Sequence, residues 1–139
     1  MEISRPVAEV FAFVADQTNA PRWQNGLSEV RRLTEGPLGV GTEHEFIRRF
    51  AGRKVATRNR FVAFEEGRYV EFEIPRGWLT GRASYRTEPS RNDTVLTSRM
   101  QFHAHGPTTL LEPVLTRLLA RDSRRDEARL KRLLEHQAA

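Results

Sequence analysis

The hydrophobic rhythm of this chain changes once, near Phe102. Before that point, short alternating apolar runs are broken by Gly, Pro and Asn, the period-two pattern of strands. After it, Leu110, Leu111, Val114, Leu115, Leu118 and Leu119, then Leu130, Leu133 and Leu134, recur at the spacing of an amphipathic helix. Strands with one apolar face and a long helix with an apolar stripe must bury those surfaces against each other. A strongly curved sheet closed by a single helix leaves a hollow between the two. That hollow is where function is expected.

Ile3 ends a short first strand. Ser4 is placed to cap a helix with Pro6 in its first turn. Val7, Val10, Phe11 and Val14 then predict a helix over 6–15. Asp16 and Asn19 can cap a second short helix that carries Pro21-Arg22-Trp23 and ends near Asn25-Gly26. Strands are predicted over 27–33, 42–50, 54–64, 69–74, 78–87 and 94–103, with a polar turn from Pro89 to Asp93. Their short turns argue an antiparallel meander. The last helix runs from Val114 to about His136. Pro113 lacks the N–H for an internal bond, so either 108–112 form a separate turn or the helix kinks there. The polar stretch Arg121–Glu127 either spans solvent or lines something wet.

With 139 residues the chain is long enough for one domain, taken as 1–139. A domain of this size buries roughly 70% of the surface of its unfolded chain, which leaves room for a cavity. No apolar run approaches the ~18 residues of a membrane span. The N-terminus lacks the basic start and apolar stretch of a secretory leader, so a cytoplasmic location is the default expectation. Cysteine is absent, which excludes disulfide and thiol chemistry. The net charge is +5, and only Lys54 and Lys131 among 23 basic residues are lysine. Arginine grips phosphate and carboxylate bidentately. Here, however, the arginines are scattered among glutamates, which weighs against nucleic acid as a partner.

Several segments resemble the SRPBCC superfamily of START-like, helix-grip proteins. They are Ile3-Ser4-Arg5-Pro6-Val7, Val10 to Asp16, Pro21-Arg22-Trp23, Gly39-Val40-Gly41-Thr42 and Arg129 to Glu135. Within it the chain is most similar to the polyketide cyclase/dehydrase branch. The resemblance implies an α+β helix-grip fold, with a curved antiparallel sheet of about seven strands, two short helices and a long C-terminal helix. It also implies a cavity for lipid-like, polyketide-like or other apolar molecules. It does not specify a reaction, because one fold hosts many functions. The first strand is nearly missing here; an upstream start or a shortened edge strand would each explain it. A short first strand would expose a sheet edge, through which a homodimer could form.

Alternation assigns the lining. His44, Phe46 and Arg48 share a face, as do Val70, Phe72 and Ile74; Ala83 pairs with Tyr85, and Gly81 leaves space. Leu96, Met100 and Phe102 bring Ser98 inward with them. Residues 55–64 are ambiguous, because Val62 and Phe64 oppose Val55, Thr57, Asn59 and Phe61. Leu111, Val114, Leu115 and Leu118 face the sheet from the helix, while Trp23 and Trp78 stand near the cavity mouth. Three catalytic candidates emerge: His44, Arg48 and Tyr85. His44 could move a proton near neutral pH, although a partly exposed position at the sheet rim is the stronger expectation for it. Arg48, if buried, needs a partner, either a ligand carboxylate or an acidic side chain such as Asp122 or Asp126. Tyr85 and Ser98 could hydrogen-bond a ligand carbonyl or hydroxyl. His103 and His105 lack a third ligand, and no phosphate loop, nucleophile elbow or HExxH helix occurs. No metal or cofactor is expected. Three readings follow: a pocket for a small hydrophobic ligand, a cyclase/dehydrase-type enzyme, or an interaction module for protein or RNA.

Overall fold

Seven strands form one antiparallel sheet in the order β1-β7-β6-β5-β4-β3-β2. They are β1 (Glu2–Ile3), β2 (Leu27–Arg32), β3 (Glu43–Phe50), β4 (Arg53–Glu65), β5 (Tyr69–Ile74), β6 (Leu79–Ser90) and β7 (Asp93–Ala104). The structure, a computed structural model, describes every residue except 25–26, 51, 78, 107–109, 111 and 137–139. For residues 50, 79, 104, 112, 115–116 and 118–123 the description is limited to their backbone element. Strands β2 to β7 form the meander that the turn spacing implies. Strand β1 then returns to the far edge, where Glu2 and Ile3 pair with Val95 and Thr94.

The first helix, α1, spans Val7–Ala15 and buries Val10, Phe11, Phe13, Val14 and Ala15. Pro6, not Ser4, occupies its N-cap, and no side chain caps it. The backbone N–H of Ser4 instead donates to Glu135 Oε2 at 2.9 Å, tying the entry of α1 to the last helix. Asp16 ends α1 in an extended conformation and caps a 3₁₀ helix, Gln17–Arg22, by accepting from Thr18 N. The closing helix, α2, spans Glu112–His136. Pro113 therefore falls in its first turn, where a missing N–H costs nothing, and Leu110 precedes the helix with its side chain exposed.

Among the described residues, α1 packs chiefly on β6 and β7, the 3₁₀ helix on β2, and α2 on β1 and β7. Leu130 and Leu134 of α2 join a core built from Ile3, α1 and the inner-face residues of β4 to β7. No helix among the described residues is long and apolar enough to cross a membrane. The chain has the α+β helix-grip fold.

Two departures from regular alternation have local causes. The pairing of β4 with β5 shifts between Phe61 and Ala63. One extra residue at that bulge turns both Phe61 and Phe64 toward the core, which resolves the conflicting alternation there. The β6–β7 turn is tighter than Pro89–Asp93, because Pro89 and Ser90 pair with Thr94 and Asp93. Strand β5 pairs with β6 only as far as Arg86, so Pro89 lies where β6 has a partner on one side, and its missing N–H breaks no ladder bond there.

Gly81 is required by a close approach. A Cβ at this position would stand 2.1 Å from Gln101 O and 2.4 Å from the Phe102 ring. The first is backbone of the paired strand and cannot swing away. Gly81→Ala is expected to lower stability by about 1–3 kcal/mol, read as an earlier urea midpoint. An unchanged midpoint would contradict this close packing of β6 on β7.

The outer face carries charge. Arg58 meets Glu45, Arg60 meets Glu73, and Arg82 lies between Glu71 and Glu73. Such exposed pairs add little stability each. They do show where part of the arginine content goes.

Candidate functional site

Aromatic side chains build the inner face of the central strands. Phe61 stacks on Phe64 at 6.3 Å and lies 6.3 Å from Phe72. Phe72 lies 6.0 Å from Tyr85, which meets Trp23 edge-on at 6.0 Å. Phe46 belongs to a smaller buried group with Ala20, Leu27 and Val30. These residues are brought together by cross-strand register: Phe61 faces Phe72, Val70 faces Tyr85, and Tyr85 faces Ser98.

Two polar groups interrupt this surface. The first links the sheet to the helices. Arg48 Nη2 donates to Gln24 Oε1 at 3.4 Å, and Gln24 Nε2 donates to the Tyr85 hydroxyl at 3.5 Å. On the other side Ser98 Oγ donates to Glu127 Oε1 of α2. Burial pushes the Tyr85 phenol well above its ordinary value; Arg48 pulls it down, while Asp126 and Glu127 push it up. Tyr85 therefore remains a neutral hydroxyl at physiological pH. The polar middle of α2 lines the inner side here, since Asp126 is buried and Glu127 reaches the sheet.

The second group is His44 with Asn59 and Gln17. His44 and Asn59 are direct partners across β3 and β4. Asn59 Nδ2 donates to Gln17 Oε1 at 2.8 Å. His44 is 0% exposed, which corrects its expected position at a partly exposed rim. Thr42, just ahead of β3, is buried beside it, so the chain enters the core earlier than its nearby glycines imply. Burial, helped by Arg32 and opposed by Asp16, lowers the His44 pKa to about 4. The imidazole is neutral at pH 7.

The predicted lining residues separate by exposure. Trp23, Phe46, Phe72 and Tyr85 are buried, and Ser98, Phe102 and Arg48 are half-buried. Met100 is 46% exposed and Val114 is 56% exposed. Met100 nevertheless stands on the inner face, opposite buried Ala83. Trp78 and Leu111 lie outside the described residues. Leu115 and Leu118 are placed on α2 by backbone alone. Sequence reasoning missed Gln17, Gln24 and Glu127. The two glutamines lie in or beside a 3₁₀ helix with no usable period, and Glu127 looks like one more charge in a polar run.

Among the described residues no group of three or more His, Cys, Asp or Glu is placed to hold a metal. The His105 ring Nε2 is hydrogen-bonded to Thr80 Oγ1 at 2.6 Å.

Similarity to solved structures runs the length of the chain. The protein TTHA0849 from Thermus thermophilus superposes with a TM-score of 0.82 at 13% identity, covering 100% of this chain and 96% of that one. The Zhui aromatase/cyclase from Streptomyces sp. R1128 gives 0.78 at 16% identity, covering 100% and 92%. A START superfamily protein from Mycobacterium smegmatis gives 0.70 at 13%, covering 96% and 94%. At such identities the likeness concerns the fold. No curated protein sequence matches this chain. The family model described as polyketide cyclase / dehydrase and lipid transport matches residues 1–135. A match of that extent, on a seven-stranded sheet closed by a C-terminal helix, means that this chain belongs to the polyketide cyclase/dehydrase and lipid transport family.

Proposed function

We propose that this protein binds one small, mostly apolar molecule between the inner face of the sheet and α2. Incomplete cover of that face carries the reading. Met100 points to the helix side yet is 46% exposed, and Val114 on α2 is 56% exposed. Leu130 and Leu134 of α2 are buried instead, so α2 seals the β1–β7 end more tightly than the end near Met100. Apolar surface left open beside an aromatic interior offers about 25 cal/mol per Å² to a guest that covers it. Tyr85, Ser98 and Arg48 supply the few polar contacts that orient such a guest. Family membership and the lipid-transport and aromatase/cyclase descriptions of its relatives point the same way.

The test uses a neutral fluorophore, N-phenyl-1-naphthylamine, titrated into wild type and Met100→Asp. Because Met100 is half in solvent, the fold tolerates the change. A carboxylate at the mouth should weaken binding about tenfold, since an apolar guest leaves that charge poorly solvated. Absence of saturable binding, or a crystal structure with the interior filled by side chains, would overturn the reading.

A second reading is a cyclase/dehydrase-type enzyme. The Arg48–Gln24–Tyr85 chain favours it, because donors fixed in an apolar setting polarise a carbonyl more strongly than donors in water. In that case Tyr85→Phe keeps ligand binding and loses turnover.

A further inference from the structure

His44 and Asn59 leave three polar atoms unpaired in the core. Neither His44 Nδ1 nor Nε2 has a hydrogen-bond partner, and Asn59 Oδ1 has none. Both residues are nine-tenths buried or more, at 0% and 3% exposed. Aromatic rings close around the imidazole: Phe61 at 5.5 Å and Phe46 at 6.5 Å between centroids. Directly opposed residues on paired strands hold their Cβ atoms roughly 5 Å apart. No hydrogen bond joins the imidazole to the amide oxygen at that spacing. Each unmade bond carries the full desolvation cost of its group, so a pair of such residues implies a third party.

We propose that His44 and Asn59 form a recognition subsite for a neutral hydroxyl, the O–H of an alcohol or phenol carried by the apolar guest. The hydrogen-bond inventory selects it. A neutral imidazole offers one donor and one acceptor, and Asn59 Oδ1 offers a further acceptor, while one N–H of its Nδ2 goes to Gln17. A hydroxyl oxygen accepts from the ring N–H, and its hydrogen is donated to Asn59 Oδ1. A carbonyl has no hydrogen for that second bond. A carboxylate would bring a charge into an interior where the imidazole is uncharged. The inference rests on the pocket reading above. An internal water presents the same O–H chemistry, and the experiment separates the two sources.

The probes are 2-naphthol, naphthalene and 2-naphthoate, titrated into wild type and His44→Leu, a change close in volume. Nitrogen-15 spectra of the His44 ring in wild type supply a second readout that does not depend on the variant folding. Wild type should bind 2-naphthol about tenfold more tightly than naphthalene and 2-naphthoate. That preference should fall to about onefold in His44→Leu. The ring nitrogens should shift on adding 2-naphthol and stay still with naphthalene. Equal affinities for 2-naphthol and naphthalene in wild type would overturn the subsite and leave the pocket standing. So would ring nitrogens unmoved by 2-naphthol, with a water oxygen between His44 and Asn59 in a crystal of the complex. Failure of 2-naphthol to bind while N-phenyl-1-naphthylamine binds would also remove the subsite alone. Failure of every probe, the fluorophore included, would remove the pocket and the subsite together.

Discussion

Phe61→Ala unfolds about 3–5 kcal/mol more readily than wild type at neutral pH. The side chain is fully buried and is the largest such group among the described residues. Its ring lies against Phe64, Phe72 and His44 at once, so truncation removes contacts in several directions. Collapse into the space is difficult. Phe61 N donates to Thr42 O at 2.8 Å, and its carbonyl accepts from Gly41 N at 2.9 Å, which pins the backbone beside the bulge. A rigid wall leaves a residual cavity, and cavity volume sets the upper part of the range. Urea melts of wild type and variant read the difference. A loss under about 1 kcal/mol would mean that the ring is not a structural centre of the inner face.

Acid should destabilise wild type more than His44→Leu, by roughly 3 kcal/mol between pH 7 and pH 4. The His44 pKa is lowered from 6.5 to about 4, chiefly by burial, then by Arg32, with Asp16 acting in opposition. The direction follows from proton uptake. Below about pH 6.5 the unfolded chain binds a proton on this imidazole that the folded chain refuses. The contribution of the neutral ring is therefore complete above about pH 6.5. It is lost progressively as pH falls toward the folded value near 4. Carboxylates titrate in the lower part of this window as well, but they are common to both proteins. The wild type minus variant difference isolates the ring. Equal acid sensitivity in the two proteins would show that the imidazole is solvated or charged in the folded state.

The elements are legible because each rests on short-range chemistry. The valine and phenylalanine spacing of residues 7–14 yields α1, and the alternation of Tyr69–Ile74 matches β5 residue for residue. Strand and helix ends are displaced where a residue's partner is not its neighbour. Ser4 has the chemistry of a cap, yet its N–H belongs to Glu135, 131 positions away. Pro89 has the local pattern of a turn, because nothing nearby says that β5 has already stopped pairing with β6. The candidate site is half legible. Tyr85, Phe72 and Phe46 follow from alternation alone. The burial of His44 does not, since a histidine just past Gly41 looks like a rim position.

Sequence by itself determined that strands precede one long helix, which faces are apolar, and that residues such as Phe46, Phe72 and Tyr85 look inward. Those facts depend on backbone periodicity and side-chain polarity, both local properties. Only the tertiary structure decided that the bulge at Phe61–Ala63 turns two phenylalanines to one side. It alone decided that Gln24 joins Arg48 to Tyr85, and that His44 and Asn59 meet with bonds unmade. Each of these is set by cross-strand register or by packing between segments far apart in the chain. Hydrogen-bond satisfaction is a property of the space around an atom, and no reading along one dimension contains that space.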